Sequence, residues 1–143
     1  MADHTFPADK QPAIRVSPMP ADTNAIGDIF GGWLMSQVDI AGSIAAYRCA
    51  HGRVVTVAVN SFQFIKPVFV GDLVSIYSEV IKIGNTSIQV AVDAFAERRH
   101  SFLDETETRA DEYNAVKVAE AVLTYVAIDK NLKPRPVNAD CPD

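Results

Sequence analysis

The longest apolar stretch of the chain runs from Ile29 to Tyr47, and Asp39 is the only charged side chain within it. Its glycine, serine and glutamine residues make it too polar to cross a bilayer. Apolar side chains recur at helical spacing, at Trp33, Leu34, Val38, Ala41 and Ala45. The pattern predicts a helix buried on nearly all sides, and His51-Gly52 is a natural place for that helix to end.

Beyond Gly52 the apolar positions alternate with a period of two, which is typical of β-strands. These positions are odd-numbered at Val55, Val57 and Val59 and even-numbered at Phe62 and Phe64. Successive residues of a strand point to opposite faces, so we expect the three valines to face inward. A bulge or bend near Asn60-Ser61 would then change the inward face.

Three further strands are predicted after this one, at 73–83, 88–97 and 115–128, with turns at 67–72 and 84–87. In the strand at 88–97, every second residue is expected to face inward. These residues are Ile88, Val90, Val92, Ala94 and Ala96. On the last strand, we expect burial of Val116, Val118, Val122, Val126 and Ile128. A charged segment, 98–114, separates these two strands.

Together the elements predict an α+β domain in which a curved antiparallel sheet, a meander of long strands, wraps around one central helix. A chain of 143 residues has the usual length of one domain. We therefore interpret residues 1–143 as a single domain with a folded body over about 14–133. The tails are expected to be extended, because seven of the eight prolines lie near the two ends.

Composition and charge exclude several classes of protein. Hydrophobic residues make up 48% of the chain, which is too apolar for a disordered protein. A net charge of −5 gives no basic surface for nucleic acid or an anionic membrane. The N-terminus lacks a basic start followed by an apolar run, so we expect no secretory signal and a cytoplasmic location. Cys49 and Cys141 lack metal-site spacing and fit a reduced setting.

Asp39 is the first candidate for chemistry, because it is the only charge between Asp28 and Arg48. A carboxylate in an apolar helix costs several kcal/mol to desolvate unless it is hydrogen-bonded or faces a cavity. It either belongs to a functional site, where such groups concentrate, or makes a polar contact at a subunit seam with Ser36 and Ser43. The functional site is the favoured interpretation.

The glycine-rich segment 24–32, which precedes the helix, is the second candidate. Its glycines allow backbone N–H groups to approach a ligand at the positive end of the helix dipole. Such donors suit a developing oxyanion. Judged by spacing alone the segment is a structural turn, since it matches neither a phosphate-binding loop nor a dinucleotide fingerprint.

The other polar residues give weaker signals. His4, His51 and His100 form no metal constellation, and no serine lies in the strained elbow of a serine hydrolase, so no metal site is expected. Exposed basic side chains usually only keep a surface solvated, but some of them could bind phosphates. The candidates are Arg53, Lys66, Lys82, Arg98 and Arg99.

Several segments carry a resemblance to a known family. They are MPADTN at 19–24, GDIFGGWLMSQVD at 27–39, GRVVTVAV at 52–59 and FIKPV at 64–68. Over about residues 16–128 the chain closely resembles the YciA-like acyl-CoA thioesterases of the hotdog superfamily. The resemblance implies a hotdog fold and a dimer at least, with active sites at the dimer seam. It also implies that three such dimers assemble into a hexamer.

The resemblance implies roles for individual residues as well. The catalytic carboxylate falls on Asp39 and its polar partner on Asn24, from opposite subunits. The N–H groups that hold the thioester carbonyl oxygen fall on Gly31 and Gly32. The turn that lies against the coenzyme A moiety falls on Gly84, Thr86 and Ser87. Asp39 would act as general base on water, or as a nucleophile through an anhydride.

The implied activity is hydrolysis of acyl-CoA to a free fatty acid and coenzyme A, which needs no cofactor because coenzyme A is part of the substrate. One alternative is a regulatory hotdog protein that binds acyl-CoA without turnover. It is disfavoured because Asp39 and Asn24 are both present and no DNA-binding module is appended. Another is hydration or dehydration of an acyl thioester, for which none of the three histidines is suitably placed.

Overall fold

A computed structural model of the protein describes residues 6–7, 9–98 and 115–137. In these ranges the chain forms a long helix, α1 (Gly31–Ala50), preceded by a short 3-10 turn at Pro20–Asp22. The strands are β1 (Ile14–Val16), β2 (Val54–Phe64), β3 (Leu73–Ile83), β4 (Ser87–Glu97) and β5 (Ala115–Ala127). They pair antiparallel in the order β1-β3-β4-β5-β2.

Helix α1 packs on the sheet and contacts all four long strands. Its buried surface consists of Leu34, Val38, Ala41, Gly42, Ala46, Cys49 and Ala50. The helix ends at His51, whose backbone is left-handed at φ 55°, and the N–H of Gly52 donates to the carbonyl of Tyr47 at 3.4 Å. The predicted α+β class and the helix end at His51-Gly52 are confirmed.

The sheet differs from the predicted meander in the place of β2. The turns and the strands over 73–97 lie where they were expected, and the predicted inward residues of β4 are buried. However, β2 pairs with β5 at the far edge of the sheet instead of with β3. Hairpin loops have two to five residues, whereas 65–72 is longer and lets β3 start away from β2. This connection follows β5, since the N–H of Ile65 donates to the carbonyl of Val118 at 2.8 Å.

The expectation that Val55, Val57 and Val59 face inward is wrong, because their side chains are 40%, 54% and 47% exposed. The pairing of β2 with β5 shifts at two places, so alternate residues do not keep to one face. One shift falls between Val59 and Ser61, which confirms the bulge predicted there. Since β2 pairs with β5 alone, these valines lie along an edge of the sheet.

On β5 the predicted burial is correct for Val118 and Ile128 but wrong for Val116, Val122 and Val126, which are only partly buried. The pairing with β4 skips Val118, because Ala94 faces Ala119 while Phe95 faces Lys117. This irregularity changes the inward face of the strand. Beyond it the buried residues are Ala119, Ala121, Leu123, Tyr125 and Ala127.

The structure contradicts one expectation about the cysteines. Cys49 is fully buried near the end of α1 and is disulfide-bonded, so the expected reduced cysteine is contradicted there. Cys141 lies outside the described residues, as do His4, His100 and the segment 99–114. Within the described ranges, no helix has both the length and the hydropathy of a membrane span.

Candidate active site

Asp39 lies about two turns into α1 and points toward β2 and β5. Its Oδ1 atom accepts a hydrogen bond from Thr56 Oγ1 at 2.7 Å and another from the Tyr125 hydroxyl at 3.0 Å. The same hydroxyl lies 2.9 Å from the backbone carbonyl oxygen of Asp39. No residue in the described part of the chain donates to Oδ2, and the side chain is partly exposed. Oδ2 is therefore the oxygen available to a ligand or to water.

Tyr125 is fully buried between β5 and the helix. A Cβ atom at Gly42 would lie 2.4 Å from the Tyr125 hydroxyl oxygen, so the absence of a side chain at Gly42 is what lets the phenol reach Asp39. Burial and the nearby Asp39 carboxylate raise the pKa of Tyr125 above its usual value. The hydroxyl therefore keeps its proton and remains a donor at neutral pH.

Thr56 and Tyr125 were not found from the sequence. They face each other across the β2–β5 pairing, and Tyr125 is 86 positions from Asp39. Their contact with Asp39 depends on a strand order that the sequence does not reveal. One signal was available, because a tyrosine buried among apolar strand residues needs a partner for its hydroxyl group.

Gly31 and Gly32 form the start of α1, as expected. The N–H of Trp33 donates to the carbonyl of Phe30 at 3.1 Å, whereas those of Gly31 and Gly32 donate to no acceptor among the described residues. They are available donors at the positive end of the helix dipole. Gly31 also has a packing role, since a Cβ there would lie 3.2 Å from the ring of Phe64, whereas the space beside Gly32 is open.

Asn24 lies in the loop before the helix, and its side chain shapes that loop. Its Oδ1 atom accepts the N–H groups of Ile26 at 3.0 Å and Asp28 at 3.1 Å. The loop is anchored to the β2–β3 connection, because the N–H of Ile29 donates to the carbonyl of Val68 at 3.1 Å. With Oδ1 engaged, the amide Nδ2 is the atom of Asn24 that can bind water or a carbonyl oxygen.

A single protomer does not bring all these groups together. Gly31 and Gly32 precede Asp39 by eight and seven residues in one helix, which places them roughly 10–12 Å away along its axis. Asn24 lies before that helix start, and no hydrogen bond links it to Asp39. A carbonyl group in contact with Asp39 is therefore out of reach of the same chain's Gly31 and Gly32. A site that contains all of them requires a second copy of the chain.

The turn expected to lie against coenzyme A joins β3 to β4. The N–H of Gly84 donates to the carbonyl of Ser87 at 2.8 Å, and an N–H of β5 donates to the carbonyl of Thr86 at 3.0 Å. A Cβ at Gly84 would lie 2.6 Å from Ser87 Oγ, so glycine suits this tight turn. The next residue, Ile88, pairs with Tyr125. The turn therefore lies close, along the sheet, to the residues that hold Asp39.

A groove of about 400 Å³ runs beside α1, beyond Asp39. It is lined by Ser43, Ile44, Tyr47, Arg48, Arg53 and Val54. Ser43 and Tyr47 follow Asp39 at intervals of four residues, so the three lie along one face of the helix. The groove has the size of a small-ligand pocket and begins one helical turn from the Asp39 carboxylate.

Two of the other sequence candidates, Arg98 and His51, have structural roles. Arg98 forms an ion pair with the buried carboxylate of Asp72 and donates to the carbonyl of Pro67 at 2.9 Å. It therefore holds the β2–β3 connection in place and is not a free phosphate ligand. His51 ends the helix, and over residues 6–7, 9–98 and 115–137 no group of three or more His, Cys, Asp or Glu side chains could hold a metal ion.

Comparison with known proteins identifies the family. A model of the Thioesterase superfamily matches residues 26–102, which is more than half of the chain. The chain belongs to the thioesterase superfamily. The segment that matches the superfamily contains the helix start, Asp39 and Thr56, whereas Tyr125 lies beyond it.

Individual members of the thioesterase superfamily match most of the chain. It is 48% identical over 124 residues to the acyl-CoA thioester hydrolase YciA of Salmonella typhimurium, with 87% of each chain covered. A hexameric thioesterase from Yersinia pestis is 44% identical with a TM-score of 0.80, covering 94% of this chain and 99% of that one. A hexameric hotdog fold thioesterase of Campylobacter jejuni is 38% identical with a TM-score of 0.81, covering 92% and 93%. The expected hotdog fold is confirmed.

Proposed function

We propose that the protein hydrolyses acyl-CoA thioesters to a free fatty acid and coenzyme A. The observation that carries this proposal is the Asp39 carboxylate, which has one oxygen bound by Thr56 and Tyr125 and the other available. The chain belongs to a superfamily of thioesterases, and a relative with 48% identity is an acyl-CoA thioester hydrolase. A fixed carboxylate beside a groove is suited to activating water for attack on a thioester.

The proposed reaction uses groups from two copies of the chain. Asp39 Oδ2 takes a proton from water as the water oxygen bonds to the thioester carbon. The N–H groups of Gly31 and Gly32 from the second copy stabilise the developing oxyanion, and Asn24 Nδ2 orients the water or the carbonyl. When the C–S bond breaks, the proton on Asp39 passes to the coenzyme A thiolate. A route through an anhydride, in which Oδ2 attacks the carbonyl carbon itself, uses the same groups.

Release of free thiol is the test of this function. We expect the purified protein to release one coenzyme A per acyl-CoA consumed, measured with a thiol reagent over a series of acyl chain lengths. A regulatory protein would bind acyl-CoA without releasing thiol, and a hydratase would change the acyl chain without releasing thiol. The hydratase is further disfavoured because His51 lies twelve residues after Asp39, about 18 Å along the helix axis.

The groove beyond Asp39 is proposed to hold the acyl chain. Ile44, Val54 and the ring of Tyr47 supply apolar contacts, and Tyr47 lies about 12 Å from Asp39 along the helix. We expect Tyr47→Ala to raise kcat/KM for long acyl chains relative to short ones by about tenfold, because it opens the far end of the groove. The control is Ile81→Ala, a loss of a similarly exposed side chain on β3. If kcat/KM depended on acyl chain length in the same way for wild type and Tyr47→Ala, the acyl chain would lie elsewhere.

A homohexamer, built as three dimers, is the proposed assembly. The edge strand β2 exposes Val55, Val57 and Val59, and an exposed apolar edge of this kind is normally covered. The similar thioesterases of Yersinia pestis and Campylobacter jejuni are hexameric. Sedimentation equilibrium is expected to give six times the chain mass of 15.5 kDa. A species of one chain mass with full activity would contradict the two-copy site.

Three further expectations belong to this function. The turn with Gly84, Thr86 and Ser87 is proposed to contact coenzyme A, supported by its position near the residues that hold Asp39. The reaction as written needs no cofactor, since coenzyme A enters with the substrate. A cytoplasmic location stays a prediction, and the disulfide at Cys49 is unusual for that compartment.

A further inference from the structure

We propose that Thr56 and Tyr125 are positioning residues that fix the Asp39 carboxylate through Oδ1 and thereby select Oδ2 as the oxygen that receives the proton from water. This inference rests on the proposed hydrolysis. It assigns roles to two residues that lie outside both the glycine-rich segment 24–32 and helix α1, which carries Asp39. Its basis is that both hydroxyl groups, at 2.7 Å and 3.0 Å, donate to the same oxygen atom.

The carboxylate needs such donors because its last torsion angle is soft. The terminal torsion of an aspartate has broad wells and permits the two oxygens to exchange places. Two donors that approach Oδ1 from neighbouring strands remove that freedom, since rotation would break both hydrogen bonds. The Oδ2 atom is then held in one position from which it can accept a proton, which is the pre-organisation that catalysis of this type requires.

Tyr125 is held more rigidly than Thr56. Its ring is fully buried, and its hydroxyl also contacts the backbone carbonyl of Asp39 at 2.9 Å. Gly42 lies on the next turn of the helix and provides the space for this hydroxyl. The phenol thus ties the carboxylate to the helix backbone, while Thr56 binds it from the exposed edge strand.

Two substitutions remove one hydroxyl each with little change of shape, Tyr125→Phe and Thr56→Val. We expect each to lower kcat about tenfold and to leave KM for acyl-CoA within about twofold, because misplacing a reacting group by about 1 Å costs up to about 100-fold in rate. The double variant is expected to lose about 100-fold. Thr56→Ser keeps the donor and is expected to retain nearly the wild-type kcat.

Matched controls remove the same groups elsewhere in the sheet. Tyr77→Phe changes a buried tyrosine of β3 whose ring packs on Phe95 with centroids 5.8 Å apart. Thr124→Val removes a hydroxyl that donates to Asn60 at 2.6 Å, one residue from Tyr125. Neither hydroxyl bonds to Asp39, so both controls are expected to keep the wild-type kcat.

The two substitutions of Thr56 separate positioning from a general loss of packing. Thr56→Val keeps the shape of the side chain and loses the donor, whereas Thr56→Ser keeps the donor and loses a methyl group, so a packing defect would lower kcat in Thr56→Ser and a positioning defect in Thr56→Val. If wild type releases coenzyme A and both Tyr125→Phe and Thr56→Val keep its kcat, the positioning role is wrong while the hydrolase function stands. If wild type releases none, the hydrolase function itself fails. Should Tyr125→Phe unfold, Thr56→Val and Thr56→Ser decide the question.

Discussion

Asp39→Asn is expected to lower the turnover of acyl-CoA by roughly 10²–10⁴-fold, the usual contribution of a general acid–base group. The amide oxygen of the variant can still accept from Thr56 and Tyr125, so the contacts that hold the side chain survive. Its amide nitrogen replaces Oδ2 and cannot accept a proton. The loss should therefore appear in kcat, with the thermal melting curve close to that of wild type.

The control for this variant is Asp93→Asn. Asp93 is partly exposed on β4 and pairs with Lys117 at 3.3 Å, so its substitution makes the same chemical change outside the proposed site. We expect it to keep wild-type turnover. A folded Asp39→Asn protein with wild-type kcat would make Asp39 a structural residue and would refute the proposed mechanism.

Gly42→Ala is expected to reduce both stability and turnover, although alanine is the better helix former. Replacing glycine in a helix gains up to about 1 kcal/mol in helix propensity. The added Cβ, however, would lie 2.4 Å from the Tyr125 hydroxyl oxygen and 3.2 Å from its Cζ atom. Overpacking of this kind costs about 1–3 kcal/mol, and displacing the phenol also breaks its hydrogen bond to Asp39. Chemical denaturation should show a lower free energy of unfolding, and kcat should fall as in Tyr125→Phe.

Gly32→Ala is the matched stability control for Gly42→Ala. It makes the same substitution in the same helix, but no atom lies within 4 Å of the added Cβ. Its free energy of unfolding is expected to equal or exceed that of wild type by up to about 1 kcal/mol. If both variants lost equal stability, or if Gly42→Ala were stabilised, the close approach of Tyr125 to the helix would not be a constraint on the fold.

The helix and most strand boundaries were predictable because they depend on local patterns. The helical spacing after Ile29 and the stop at His51-Gly52 are both local, and both agree with the structure. The inward faces of β2 and β5 were not predictable in full, because each strand contains an irregularity in pairing. One extra residue reverses the alternation, and only the partner strand shows where it lies.

The candidate site divides in the same way. Asp39 was found because a lone carboxylate on an apolar helix is a local anomaly in the sequence. Tyr125 and Thr56 were missed, because their contacts with Asp39 arise from the β2–β5 pairing and from the space at Gly42. The predicted helix already separates Asp39 from Gly31 by eight residues, about 12 Å along its axis. That distance is the physical reason to require a second copy.

The central claim, that one active site is shared by two copies, is tested most directly by mixing two inactive variants. Asn24→Asp keeps the Oδ1 acceptor that shapes the loop but replaces Nδ2, and Asp39→Asn removes the base. In a hybrid dimer, one site carries both changes and the other carries neither. Random pairing after co-expression makes about half of the dimers hybrids, so we expect roughly a quarter of wild-type activity to return. Hybrids shown by mass spectrometry to form, with activity no higher than that of the parent variants, would contradict the shared site.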